Sequence, residues 1–414
     1  MLTNIQHATK RPVSSHAILN LGFRIFFVGA GIFAIISMIL WFLILQGTAS
    51  FQNALNPFYW HAHEMLFGYT LAVVAGFLLT AVKVWTGQMM PYGWRLGMIF
   101  GAWTLARLAW LGLHAVPSSA MMIMACVFDI IFWVMVCWVI IKAVWVARQK
   151  RQIGIVAKLI LLLLAHLSFY AGVLLSDANV QQIALYATLY LIIGMVFTIA
   201  RRVLPFFITK GVSVGCDGKP NGINLPQKNS RLLDMMSLIG FFGFVVFDLL
   251  HLSIIASAFA MACLIANVLR LKNWYHHGIW QKPLLWSLVI AFGGMTASLG
   301  LFVVRPFFQS SVDIHSLALH GLALFGIGLM TVAMMARVAL GHTGRSIHAP
   351  PKTVGAMFLF MIVCACCRVI LPMFGGEYMG WIAISQIAWV VSFVLFCVSY
   401  VGMLARPRVD GLFG

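Results

Sequence analysis

Charge is what this sequence has least of. Of its 414 residues only nine are Asp or Glu, and 9% are charged in all, where a soluble domain carries about 25%. With 62% hydrophobic residues, the chain has too little polar surface to cover a soluble fold, so soluble classes are excluded. Cysteine offers no framework either. Cys126, Cys137, Cys216, Cys263, Cys364, Cys366, Cys367 and Cys397 form no C-x-x-C, and all but Cys216 lie in apolar runs. A disulfide or zinc scaffold is therefore not expected. Glycine loops of the G-x-G-x-x-G or P-loop kind, and hydrolase constellations, are missing from any soluble context. The histidine-rich stretch HAHE at 61–64 is not H-E-x-x-H, which removes a zinc-protease reading. No Lys/Arg stripe interleaves with exposed aromatics, so the net charge of +18 does not indicate nucleic acid. Residues 1–20 are polar and the first apolar run is long enough to span by itself, so no cleavable leader is expected.

What is there in quantity is long apolar runs. A membrane-spanning helix needs about 20 such residues. Candidate spans fall at roughly 25–46, 61–83, 95–114, 120–145, 154–175, 181–200, 232–250, 252–270, 284–304, 314–340, 353–373 and 378–404. The prediction is an all-α integral membrane protein of about twelve helices, with the lipid bilayer as its surroundings. The run 232–270 is broken only by Asp248 and His251, and one span there in place of two would move the C-terminus across the membrane. Twelve spans fit the positive-inside rule. With the N-terminus cytoplasmic, all but Arg107, Arg305 and Arg368 of the 27 Lys and Arg fall on the cytoplasmic side. The C-terminus is then cytoplasmic too. The chain reads as a single polytopic domain, 1–414, in two six-helix halves, 1–205 and 232–414. A Gly-, Pro-, Asn- and Lys-rich loop, 206–231, joins them.

Ionisable groups inside a membrane are costly and are functional candidates by default. On this topology His61, His63, His114, His315 and His320 gather toward the outer face, with Glu64, Asp129, Asp248 and all three exceptional arginines. Imidazoles ligate iron and guanidiniums pair with carboxylates such as haem propionates, so the distribution fits a haem site. The structural alternative pairs Arg107 with Asp129 and Arg368 with Glu377 to orient helices. On an ideal helix His61, Glu64, Gly68, Ala72 and Ala75 share one stripe, while His63 points toward Phe67, Thr70, Val74 and Phe77. One of the two histidines could then bind haem and the other a second metal or a carboxylate. His320 lies about two turns into the tenth span. At that span's cytoplasmic end, GHTGR (341–345) offers His342 and Arg345 to an anion, or else caps the helix. CACCR (364–368) could take Cu(I) or simply pack. His166, alone in mid-span, reads as a hydrogen-bonded core histidine or, with Tyr186 and Tyr190, as a proton carrier.

These residues resemble a known family. LGFRIFF (21–27), WHAHEMLFGY…GFLLTAVKVWTG (60–87), RRVLPFF (201–207) and MARVALGHTGR ending at Arg345 are similar to the NnrS family over nearly the whole chain. The resemblance implies a multi-pass protein of the bacterial inner membrane that carries haem and copper. It also implies a link to denitrification and to nitric oxide and nitrosative stress. It puts the family's helix-10 histidine on His320 and its helix-2 motif on His61, His63 and Glu64. Twelve helices with histidines near the outer ends of the second and tenth also resemble the topology of haem–copper oxidases and nitric oxide reductases.

Three functions follow as expectations. The first is a haem-binding, copper-associated protein of the nitric oxide response, with His61 or His63 and His320 as ligands and His315, Arg107, Arg305 and Arg368 around the cofactor. Glu64, His114, Asp129, His342 and Arg345 would support it. The second is an oxidoreductase consuming nitric oxide with electrons from quinol or a cytochrome. The third is a transporter or metal-handling carrier.

Overall fold

The structure is a computed structural model and describes residues 16–49, 55–115, 118–215, 230–308 and 312–414. Residues 1–15 and most of the predicted central loop, 216–229, lie outside them. Among the described residues there are helices and no strands. Twelve helices among the described residues are long and apolar enough to cross a bilayer: α1 Gly22–Leu45, α2 Pro57–Thr86, α3 Trp94–His114, α4 Ser119–Val146, α5 Lys150–Leu174, α6 Ala178–Val212, α7 Arg231–Leu249, α8 Ser253–Trp274, α9 Pro283–Phe307, α10 Ile314–His342, α11 Val354–Phe374 and α12 Tyr378–Ala405.

Local chemistry sets the ends. Asn56 caps α2 by accepting from the Phe58 amide at 2.9 Å, with Pro57 in the first turn, where its missing N–H costs nothing. Gly87, at φ 70°, closes the helix. Asp313 caps α10 through the His315 amide at 3.0 Å. The ambiguous run resolves into two helices, α7 and α8, turned at His251 with φ 58°. One span outruns its prediction. Arg201 and Arg202 look like a membrane exit, yet α6 continues through Pro205 to Val212. Asp234 takes Arg201 at 2.9 Å, so that arginine does not end the helix.

Side-chain placement fits a lipid surround. On α1, Ile32, Ile36, Ile39 and Leu43 form an exposed stripe, while Phe23, Phe26, Phe27, Ala30 and Ala34 are buried. Apolar side chains fully presented along one helix face belong against lipid, not water. The chain forms two compact units. One comprises Met1–Thr188, Met335–Ser346 and Phe393–Gly414; the other comprises Leu189–Met334 and Ile347–Ser392.

Candidate metal centre

The first unit encloses a polar cluster built by α2 to α5. His63 and Glu64 come from α2, Arg107 and Trp110 from α3, Asp129 from α4, and His166 and Tyr170 from α5. His63, Asp129 and His166 are 0% exposed, Glu64 1% and Arg107 3%. Burial this complete is costly unless the charges are paired and most polar atoms are engaged.

The engagement can be followed atom by atom. His63 Nδ1 donates to Glu64 Oε1 at 2.8 Å. A carboxylate only accepts, so Nδ1 of His63 carries a proton, and in the neutral ring Nε2 carries the lone pair. That Nε2 lies 3.3 Å from His166 Nε2 and 3.8 Å from Asp129 Oδ2. His166 Nε2 is 3.9 Å from the same oxygen. Among the described residues, these three are the one group of His, Cys, Asp or Glu donors close enough together to hold a metal ion. Arg107 bridges the two carboxylates, Nη1 to Glu64 Oε1 and Nη2 to Asp129 Oδ1. Tyr170 donates to Asp129 Oδ2 at 2.7 Å, and Trp110 Nε1 lies 3.3 Å from that oxygen. Phe67 stacks flat on His166, centroids 3.8 Å apart, which fixes the ring plane. His166 Nδ1 is buried without a partner.

The backbone that follows His63 departs from the α-helix. From Glu64 to Thr70, α2 winds as a π-helix. Thr70 Oγ donates to Met65 O at 2.7 Å and Trp103 Nε1 to Gly68 O at 2.9 Å, engaging carbonyls of the widened turn. Gly68 is needed here. A Cβ would stand 2.7 Å from Arg107 Nη1, so a side chain would displace the guanidinium. The ideal-helix stripe is therefore corrected. Glu64 and Gly68 do share a side, against Arg107, but His61 stacks instead on Trp41, centroids 4.6 Å apart and 8° from parallel. His63 packs against Phe67, as expected.

The other predicted residues fall into separate groups. His114 lies edge-on to Trp60 at 4.6 Å. In the second unit, Asp248 collects Tyr190 at 2.5 Å, Arg305 at 3.0 Å and His315 at 3.3 Å. His320 Nδ1 donates to Ser316 O at 2.7 Å, and Arg368 Nη2 donates to His320 Nε2 at 3.3 Å. Arg368, which the sequence offered to Glu377, thus meets a histidine instead. His342 and Arg345 belong to a basic group at the far end of α10. Cys364 bonds Ser385, as a packed core thiol would. Two further π-helical segments, Leu322–Leu329 and Cys366–Ile370, follow His320 and carry Arg368.

Sequence reading undervalued His166 and did not single out Tyr170 or Trp110. The available signal was the spacing in HLSFY (166–170), which puts His166, Phe169 and Tyr170 on one helix face.

Fold and site together define a polytopic α-helical membrane protein with a buried histidine–carboxylate centre. The chain belongs to the NnrS family: the family model described as NnrS protein matches residues 17–408. A search of curated proteins finds no match.

Proposed function

We propose that this is a metal-bearing inner-membrane protein of the bacterial nitric oxide and nitrosative-stress response. A transition-metal ion would sit on His63, His166 and Asp129, and a haem on separate histidines. The spacing of the three buried donor atoms carries the reading. Ligands at about 2.0–2.1 Å from a tetrahedral ion stand roughly 3.3–3.4 Å apart; the two Nε2 atoms are 3.3 Å apart, and Asp129 Oδ2 stands somewhat wider, at 3.8 and 3.9 Å from them. Charge argues the same way. With both carboxylates ionised, Arg107 answers only one of two negative charges, and an enclosed group left negative calls for a cation. Imidazole with carboxylate suits copper, iron or zinc, and the family resemblance favours copper.

For haem the support comes from His320. Its Nδ1–H is fixed on Ser316 O, which puts the lone pair on Nε2, the atom that would ligate iron in place of its present Arg368 donor. Arg368 beside it suits a propionate. Bound haem would supply a redox-active iron able to bind nitric oxide. The oxidoreductase version has its own support in Tyr170, which donates into the cluster through Asp129, since reducing nitric oxide consumes protons. Electrons would come from quinol or a cytochrome.

The test is elemental analysis with a pyridine haemochrome spectrum on purified protein. His166→Ala should lose one metal ion per chain and keep its Soret band. His320→Ala should lose the Soret band and keep that metal. Unchanged metal in the first variant refutes the cluster; an intact Soret band in the second refutes the haem ligand.

A further inference from the structure

Five basic side chains from distant parts of the sequence meet at one end of the first unit: Arg24, Lys83, His342, Arg345 and Arg408. Two of the motifs singled out in the sequence, LGFR (21–24) and GHTGR (341–345), supply three of them, and none takes part in the metal cluster. Arg24 is within electrostatic reach of Arg345 and Arg408, and His342 within reach of Arg408, Lys83 and Arg24.

Arg24 is wholly buried, at 0% exposure. Its Nε donates to Gly414 O at 2.8 Å, and its Nη1 to the α12-end carbonyls of Leu404 and Arg406 at 2.7 Å each. Nη2 is buried with no acceptor, and so is Nη1 of Arg345. Arg408 is occupied: it binds Asp410 through Nε at 2.8 Å and Nη2 at 2.5 Å, and His342 O through Nη1 at 3.0 Å. The residues after α12 are pinned beside GHTGR by Val409 N–H on Thr343 O at 3.2 Å. Asp410 and the carboxyl group of the last residue, Gly414, are thus bound within a group of four Arg and Lys, which leaves positive charge in excess. Like charges held together, with two buried guanidinium nitrogens lacking acceptors, are destabilising until an anion enters.

We propose that this basic cluster is a binding site for an oxyanion of the phosphate class, either free or on the headgroup of an anionic lipid. Two guanidiniums from different helix ends offer separate N–H donors, which match an anion with more than two oxygens. The position at the ends of α1, α2 and α10 is also where a headgroup would lie.

The full chain, purified in detergent, is titrated by thermal shift with inorganic phosphate against chloride at matched ionic strength. In a second arm it is placed in nanodiscs of phosphatidylglycerol or phosphatidylcholine. A saturable rise in Tm with phosphate supports a free-anion site, and a rise confined to phosphatidylglycerol supports a headgroup site. In either case Arg345→Gln should weaken the apparent affinity about tenfold. Lys83→Gln is read in its place if that variant does not fold. No stabilisation by either ligand, or parental affinity in the variant, overturns the proposal.

Discussion

Replacing Arg107 by Leu leaves Glu64 and Asp129, 1% and 0% exposed, without the guanidinium that bridges them. Removing one member of a buried ion pair costs about 3–5 kcal/mol, because the other charge stays enclosed. Here one cation serves two carboxylates, so the upper half of that range is expected. The folded-to-unfolded ratio should fall roughly a thousand- to several-thousand-fold. The assay is unfolding of chelator-treated protein in mixed micelles, so that no metal ion substitutes for the lost charge. The same reasoning demands a rescue. Adding Glu64→Gln and Asp129→Asn to Arg107→Leu removes the stranded charges, and most of the lost stability should return. An Arg107→Leu protein within about 1 kcal/mol of the parent would refute this account of the cluster. So would a triple variant no more stable than the single one.

Gly240→Ala places a Cβ 2.9 Å from the Cys263 backbone nitrogen. Backbone cannot swing aside as a side chain can, so α7 and α8 should separate at a cost of about 1–3 kcal/mol, read as a lower Tm. Tyr190→Phe removes a 2.5 Å bond to buried Asp248 and should cost about 1.5–3 kcal/mol in the same assay. The Arg408 guanidinium holds the Asp410 carboxyl down at about 2, below its unfolded value. Its contribution is thus fully present above about pH 4 and lost as pH falls through about 2. Hydrogen exchange at residues 406–414 should accelerate in that window and be flat from pH 5 to 7.

The twelve spans were legible because the bilayer demands long apolar runs and the polar turns between them are sharp. The length of α6 was not: paired arginines and a proline read as an end, and only the structure shows Asp234 taking one of those charges. The pairing of Arg107 with Asp129 could be proposed from sequence, since each is an isolated charge near the same end of neighbouring spans. His166 could not be ranked. A lone imidazole in LLLLAHLSFYAG looks the same whether it packs against Phe67 or meets His63, and here it does both. What decides is the partner brought by α2, and the sequence around His166 does not name that partner.

Periodicity along α2 has a physical limit of its own. An α-helix turns 100° per residue, and the stripe drawn from Glu64 through Gly68 to Ala72 and Ala75 assumed that step throughout. The π-helical turn from Glu64 to Thr70 departs from it, with hydrogen bonds closing over one more residue. Such turns give up regular geometry and recur at functional sites, and in this chain they adjoin His63, His320 and Arg368. Deleting one residue from the segment, half-buried Met65, should restore α-helical winding. It would turn residues 57–64 by about 100° against the rest of α2. His63 would leave Asp129 and His166, while the apolar run would still be long enough to span. The expected result is a protein that inserts and keeps its helical circular dichroism but loses the metal held by His166. Retention of that metal would mean that the π-turn does not aim His63, and that the cluster depends on α4 and α5 alone.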